Sequence, residues 1–447
     1  MEESTGRPLF RALYSSAIVT NRQSKIINFW SRSALSDGTL RELPNIMNIA
    51  STVKQAASYS MSILLTAAPI LGFSSAALSA TELKLVSSVQ KLKFDTPAWN
   101  ADLGRTTEME IDVPKNAISV SIFASSDSLE DYYVVDSVID PTGKFFVSPT
   151  PLSQSLPPGV QNGFGVGPMY SPNRSMMGQS PGYVGLVVPN NPALSMTEGK
   201  WKFTVAGLHN DGKPSLVAPS ILVVVKSKND GAITQKTRAK VNMHFQFTGS
   251  DNLSAANFFD NRFNFQKQIE NFKSIYSAIG LEFNLIDATD TNLTQNSIDI
   301  DTVQTMQLFK RGSGDNGVNF IFVPKIVVGI SLGSEQTAQG YSGALVGPQF
   351  MPGAPLNGVL VITATSHALA GLPPISIVMA HEAAHFLGVP HILDNPQVKD
   401  AFGDTPELHR STNLMSNDPN ENSINLSVQQ RHQLFLNPAV MLFEEQP

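Results

Sequence analysis

The sequence predicts an α+β fold in two parts. An antiparallel β-sandwich covers about 81–230, and a mixed twisted sheet with helices covers 238–447. Three observations carry this. Between 83 and 228, short β-branched runs recur with turn signals between them and no helical periodicity. After SKNDGAITQKT (227–237), whose end at 231–237 reads as a linker, strands begin to alternate with helices. Near the C-terminus, an apolar helical segment runs into the string HEAAHFLGVPH at 381–391.

The sandwich strands are expected at 83–94, 107–113, 117–124, 132–139, 183–188, 200–205 and 220–226, each alternating or rich in Val, Ile and aromatics. Asp140-Pro141-Thr142-Gly143 and Asn190-Asn191-Pro192 are turn formers between them. The Pro- and Gly-rich stretch 148–182 reads as a long loop. In the second part, AKVNMHFQF (239–247) reads as a strand. A helix is expected over 255–279, because Phe258, Phe259, Phe263, Phe265, Ile269, Phe272, Ile275 and Ile279 fall mostly at helical spacing, with Gly280 as its stop. LEFNLID (281–287), a helix at 298–310 and VNFIFVPKI (318–326) follow. NGVLVIT (357–363) is expected as an edge strand, able to pair with an extended peptide. The helix bearing the histidines begins near Pro373 or Pro374. A last helix begins at Ser427, which forms a capping box with Gln430, and ends before Pro438.

The histidine spacing has a chemical meaning. Positions i and i+4 share a helix face, so His381 and His385 can present their imidazoles to one ion. Gly388 can take a positive φ, so the helix stops there and the chain turns, bringing His391 back as a third ligand. Glu382 sits beside the first ligand, placed to reach a water on the metal instead of the metal. Three imidazoles and one open position describe a catalytic zinc site.

HEAAHFLGVPH resembles the extended zinc motif of the metzincin superfamily of zinc endopeptidases, and NLMS around Met415 resembles the methionine turn of those enzymes. The resemblance covers about 238–447. It implies peptide-bond hydrolysis with His381, His385 and His391 as zinc ligands, Glu382 as general base and Met415 as an apolar floor beneath the imidazoles. Some members place a tyrosine ligand two residues after the methionine; Asn417 stands there instead. The strings at 340–361, 402–408 and 413–434 are similar to pappalysin-type enzymes, which usually carry disulfides that this chain, without cysteine, cannot form. DPTGK (140–144) and GKWKFTVAG (199–207) look like strings in β-sandwich modules that accompany secreted bacterial peptidases. Such a module could be an inhibitory propeptide, a substrate exosite or a folding aid.

Other polar residues near the motif are Thr363, Ser366, His367 and His409; they read more simply as loop polars or supporting residues than as direct participants. Asp394, Asp400, Asp404 and Glu407 could bind calcium, but they lack the regular alternation of a calcium loop and read better as a solvated acidic stretch. The net charge of −6 and the absence of basic clusters argue against nucleic acid as a partner. Residues 62–79 form an apolar segment of secretory length, with Met47 as an alternative start and small residues at Ser75-Ala76-Ala77 for cleavage near 77–80. Pro69 and Gly72 make that segment a poor membrane span. The expectation is therefore a secreted or periplasmic bacterial protein, with 1–80 as leader, acting on protein or peptide substrates. The alternative is a secreted binding or adhesion protein that retains the zinc fold without activity.

Overall fold

The computed structural model describes residues 83–445, apart from 96, 148–176, 181, 190–193, 250–251, 261–263, 292–296, 301–302, 311–315, 329–335, 352, 364–373, 393–406 and 417, together with a strand at Ser16–Val19. The expected leader segment 62–79 and its cleavage region lie outside the described residues. The fold is α+β and mostly sheet, with three sheets among the described residues.

Two of the sheets face each other. One is antiparallel throughout, in the order Met177–Ser180, Tyr183–Val188, Ala117–Ser125, Ser220–Lys228, Ser87–Phe94. The other runs Trp99–Asn100, Arg105–Thr106, Gly199–His209, Asp131–Ile139, Phe145–Val147, with Met109–Val113 also paired to Gly199–His209. Between them lies a core built on Trp201, Phe203, Tyr133, Ile122 and Val223. Strand Ala117–Ser125 is buried along its whole length, as is Tyr183–Val188. Both lack the in-out alternation of a half-exposed strand because their sheet is covered on both faces. Val120, Ile122 and Ala124 point into the sandwich core. Phe123, Tyr183, Leu222 and Val224 point the other way, into the core of the third sheet.

That third sheet is mixed. Its order is Ile298–Asp299, Ile326–Val328, Gln336–Ser342, Val359–Ile362, Val318–Val323, Arg238–Phe247, Met441–Glu445, Leu83–Leu85, and Leu281–Asp290 also pairs with Arg238–Phe247. Arg238–Phe247, Leu281–Asp290, Val318–Val323 and Val359–Ile362 are parallel, with α-helices in the first two connections. Gln336–Ser342 is antiparallel to Val359–Ile362. Strand Leu83–Leu85, at the entrance to the sandwich, is thus a member of this sheet through the C-terminal strand. From Leu83 onward the chain forms one compact unit.

Among the described residues four helices complete it: α1 (Phe265–Ser277), α2 (Val303–Lys310), α3 (Ile375–Phe386) and α4 (Val428–Leu436). All twelve residues of α3 are buried, so it is apolar all round and runs through the core beside α1. Its first turn is closed by Pro374 O, and α1 supplies Gln268 Oε1 to the otherwise unpaired Ser376 N–H at 3.2 Å. The capping box at Ser427 and Gln430 is present at the start of α4.

Three sequence expectations are corrected. Val359–Ile362 is not an edge strand: Val318–Val323 pairs with one side and Gln336–Ser342 with the other. The strand on that second side was hidden because QTAQGYS is polar and carries a glycine. The helix expected over 255–279 shrinks to Phe265–Ser277, because Asn264 takes a left-handed backbone (φ 50) and breaks it. Phe258 belongs to the turns before it, and it packs its ring on Phe245 and Phe247. The segment 298–310 divides into the short strand Ile298–Asp299 and α2.

Candidate metal centre

The imidazoles of His381, His385 and His391 converge. Their Nε2 atoms form a triangle with all three sides 3.0 Å. Helical spacing brings the first two together on α3. Gly388, at φ 102, ends the helix and lets the chain double back with His391. The Gly388 N–H closes on His385 O at 2.8 Å and the Val389 N–H on Ala384 O at 2.9 Å.

Two of the three imidazoles have their tautomer fixed from behind. His381 Nδ1 donates to Leu414 O at 2.7 Å, and His385 Nδ1 donates to Val389 O at 2.8 Å. Each therefore carries its proton on Nδ1 and presents a bare lone pair at Nε2. Burial pushes the pKa of His381 down to about 3, with repulsion from His391 adding to it, and that of His391 down to about 4. Burial drives His385 well below the ordinary range too, helped by its two imidazole neighbours. All three are neutral near pH 7.

This arrangement is not a hydrogen-bond network. Three contacts of 3.0 Å would need three protons between the rings, and His381 and His385 have none to offer there. What fits converging lone pairs is a cation, and neutral imidazoles with carbonyl-anchored Nδ1 atoms are the ligand state that metal binding requires. The buried group can hold a metal ion. It is the one such His, Cys, Asp or Glu group among the described residues.

Glu382 is fully buried, and neither carboxylate oxygen has a hydrogen-bond partner of ordinary geometry. Burial raises its pKa well above the carboxylate range; the approaching Ser342 N–H opposes this without closing a full bond. Gly340 makes room for it. A β-carbon on Gly340 would lie 2.6 Å from Glu382 Cγ and 2.9 Å from Oε1. The strand that sequence reading missed is therefore the one against which Glu382 rests.

Met415 is fully buried in the core shared with α3. Its turn is tied to two of the histidines: Leu414 O accepts the His381 Nδ1–H, and Met415 O accepts the Ile392 N–H at 2.9 Å, one residue past His391. The turn is set by Asn413, whose Oδ1 accepts the Met415 N–H at 2.9 Å. Asn413 and Gln430 exchange side-chain amide bonds, both 3.1 Å. In the sequence Gln430 is marked only as a cap; its second role arises when α4 docks against Asn413.

Of the remaining candidates, Thr363 is buried at the end of its strand, where its N–H pairs with Val323 O at 3.0 Å. His409 is exposed in the 3-10 turn Glu407–Thr412, apart from the triad's buried surroundings. Ser366, His367, Asp394, Asp400, Asp404 and Asn417 lie outside the described residues, and only the backbone of Glu407 is described. Among the described residues no helix is long and apolar enough to cross a membrane. Searched against known protein families and curated proteins, the chain matches none.

Proposed function

We propose that this chain is a zinc-dependent endopeptidase of the metzincin type. The observation that carries the reading is the pairing of a 3.0 Å triangle of bare imidazole nitrogens with a buried, unpartnered carboxylate one residue along the helix. His381, His385 and His391 would hold the ion, and zinc suits a set of three neutral imidazoles with no thiolate. When bound, it would supply Lewis-acid activation of a water molecule and of the scissile carbonyl.

The chain's own residues do the rest. Glu382 takes a proton from the attacking water as its oxygen adds to the carbonyl carbon. It returns that proton to the leaving nitrogen as the carbon–nitrogen bond breaks. Burial strengthens Glu382 as a base, and the positive charge of an ion on the three imidazoles would favour its ionised form. Its lack of hydrogen-bond partners leaves both oxygens available for this exchange. Met415 and the Asn413 turn hold the ligands in place from below.

The same proposal includes export through the apolar segment 62–79, tested by N-terminal sequencing of protein recovered outside the cytoplasm. The activity is tested with the full-length chain on casein and a peptide library, beside Glu382→Gln, with zinc quantified in both. Cleavage by the parent, loss of at least about a thousandfold in the variant and about one zinc per chain in each support the reading. Zinc in both and cleavage by neither would sink it.

A further inference from the structure

We infer that Tyr183, on the sandwich sheet, is a positioning residue for the metal-ligating triad, acting through Val346 on the C-terminal turn of α3. The sandwich is then a working part of the site and not a removable prosegment. The inference rests on the metal reading above and adds to it a role for the β-module.

Tyr183 is fully buried, and its hydroxyl donates to Val346 O at 2.6 Å, across 163 residues of chain. Gly185, two residues on, leaves the space: a β-carbon there would lie 2.4 Å from both the Tyr183 hydroxyl and Val346 O. Val346 is β-branched yet sits at φ 61, a left-handed conformation that such a residue holds only when its surroundings impose it.

What Val346 does there is close the end of α3. Its N–H donates to His385 O at 3.2 Å, and the Gly347 N–H donates to Phe386 O at 2.8 Å. These are last-turn carbonyls, for which the helix has few donors of its own. The Val346 side chain also fills the space beside Gly388, 3.1 Å from where a β-carbon would stand. Val346 therefore contacts the carbonyl of one ligand and the turn that returns another. Tyr183 holds the Val346 carbonyl, in the peptide whose Gly347 N–H reaches Phe386 O.

A second tie reaches the other end of the ligand set. Lys226 Nζ donates to Phe435 O, Asn437 O and Val440 O at 2.5, 2.8 and 2.5 Å, and Ser119 Oγ donates to Leu436 O at 2.7 Å. Both side chains come from the sandwich sheet. They secure the end of α4, whose Gln430 sets Asn413 and hence the turn behind His381.

The test compares Tyr183→Phe with Tyr133→Phe in the full-length protein. Tyr133→Phe likewise removes a buried hydroxyl, which contacts Val217 O and Ser126 Oγ at 3.1 Å each, but its ring lies inside the sandwich core. Zinc affinity by chelator competition, kcat, KM and Tm are measured on each. Tyr183→Phe is expected to hold KM within about twofold while zinc affinity and kcat fall about tenfold, the usual scale for loosening support behind a ligand. Tyr133→Phe is expected to change neither. In a Val346→Gly background, where the left-handed backbone needs no holding, adding Tyr183→Phe should cost less than it does in the parent. Wild-type zinc affinity and kcat in Tyr183→Phe would overturn the inference alone, as would equal losses in the two tyrosine variants. A parent chain that binds no zinc would overturn the metal reading and this inference together.

Discussion

Asn413 and Gln430 face each other as a matched pair of carboxamides, each donating to the other at 3.1 Å, 17 residues apart in the chain and both buried. Gln430 Oε1 also accepts the Ser427 N–H at 2.8 Å, and Asn413 Oδ1 the Met415 N–H at 2.9 Å. One side-chain pair thus starts α4 and shapes the turn whose Leu414 carbonyl orients His381. Gln430→Ala strips the Asn413 amide of its partner inside the core. The expected loss is about 2–4 kcal/mol in denaturant unfolding, from stranded buried polar groups. Zinc affinity should drop as well, since the Leu414 carbonyl is no longer fixed. Unchanged stability would show that water replaces the lost bonds.

How much of this could be read beforehand follows from the range of each interaction. The convergence of the three imidazoles was legible because helical spacing and one glycine place His381, His385 and His391 within eleven residues. The Ser427–Gln430 box was legible for the same local reason. The supports were not. His381 meets Leu414 across 33 residues and Tyr183 meets Val346 across 163, and no short-range pattern encodes either contact. The strand Gln336–Ser342 escaped because its sequence is polar. Its burial comes from α3 and the neighbouring strands, and Gly340 serves the close approach of Glu382 where a strand would otherwise prefer a β-branched side chain.

Gly340→Ala tests that approach. The added methyl would sit 2.6 Å from both Glu382 Cγ and Val378 Cγ1, so either the strand or the glutamate must move. The ligands are not touched. The expected result is retained zinc with kcat reduced about ten- to a hundredfold, because a small misplacement of a general base is costly. Parallel loss of zinc would mean that α3 itself had been displaced.

Removing the metal should expose the tension in the triad. Three lone pairs 3.0 Å apart repel one another unless a cation lies among them. Chelation is expected to lower Tm, and readdition of zinc to restore it with a dependence on free zinc. The shift should correspond to about 4 kcal/mol at a thousandfold excess over Kd. His391→Ala relieves the repulsion and removes a ligand. Its apoprotein should be no less stable than the parent's, while its response to zinc is largely lost. An apoprotein of His391→Ala clearly weaker than the parent apoprotein would show that His391 holds the turn by packing alone.

Lys226 offers the sharpest test of the seam between the sandwich and α4. Burial by itself would drive its ammonium well below the ordinary lysine pKa. The three carbonyls around Nζ oppose that, since a neutral amine has only two N–H bonds to donate and all three acceptors lie within 2.8 Å. Lys226→Met keeps the length of the side chain and leaves Phe435 O, Asn437 O and Val440 O buried without this donor. The expected cost is on the order of 3–5 kcal/mol. Ser119→Ala, one neutral bond away, should cost only about 1 kcal/mol. The effect should also reach the metal. Asn437 Nδ2 donates to Leu387 O at 3.1 Å, at the end of α3. Loosening Asn437 therefore frees the carbonyl next to Gly388. Hydrogen exchange at Gly388 and Val389 should accelerate in Lys226→Met and stay unchanged in Ser119→Ala. Equal protection in both would confine Lys226 to holding α4.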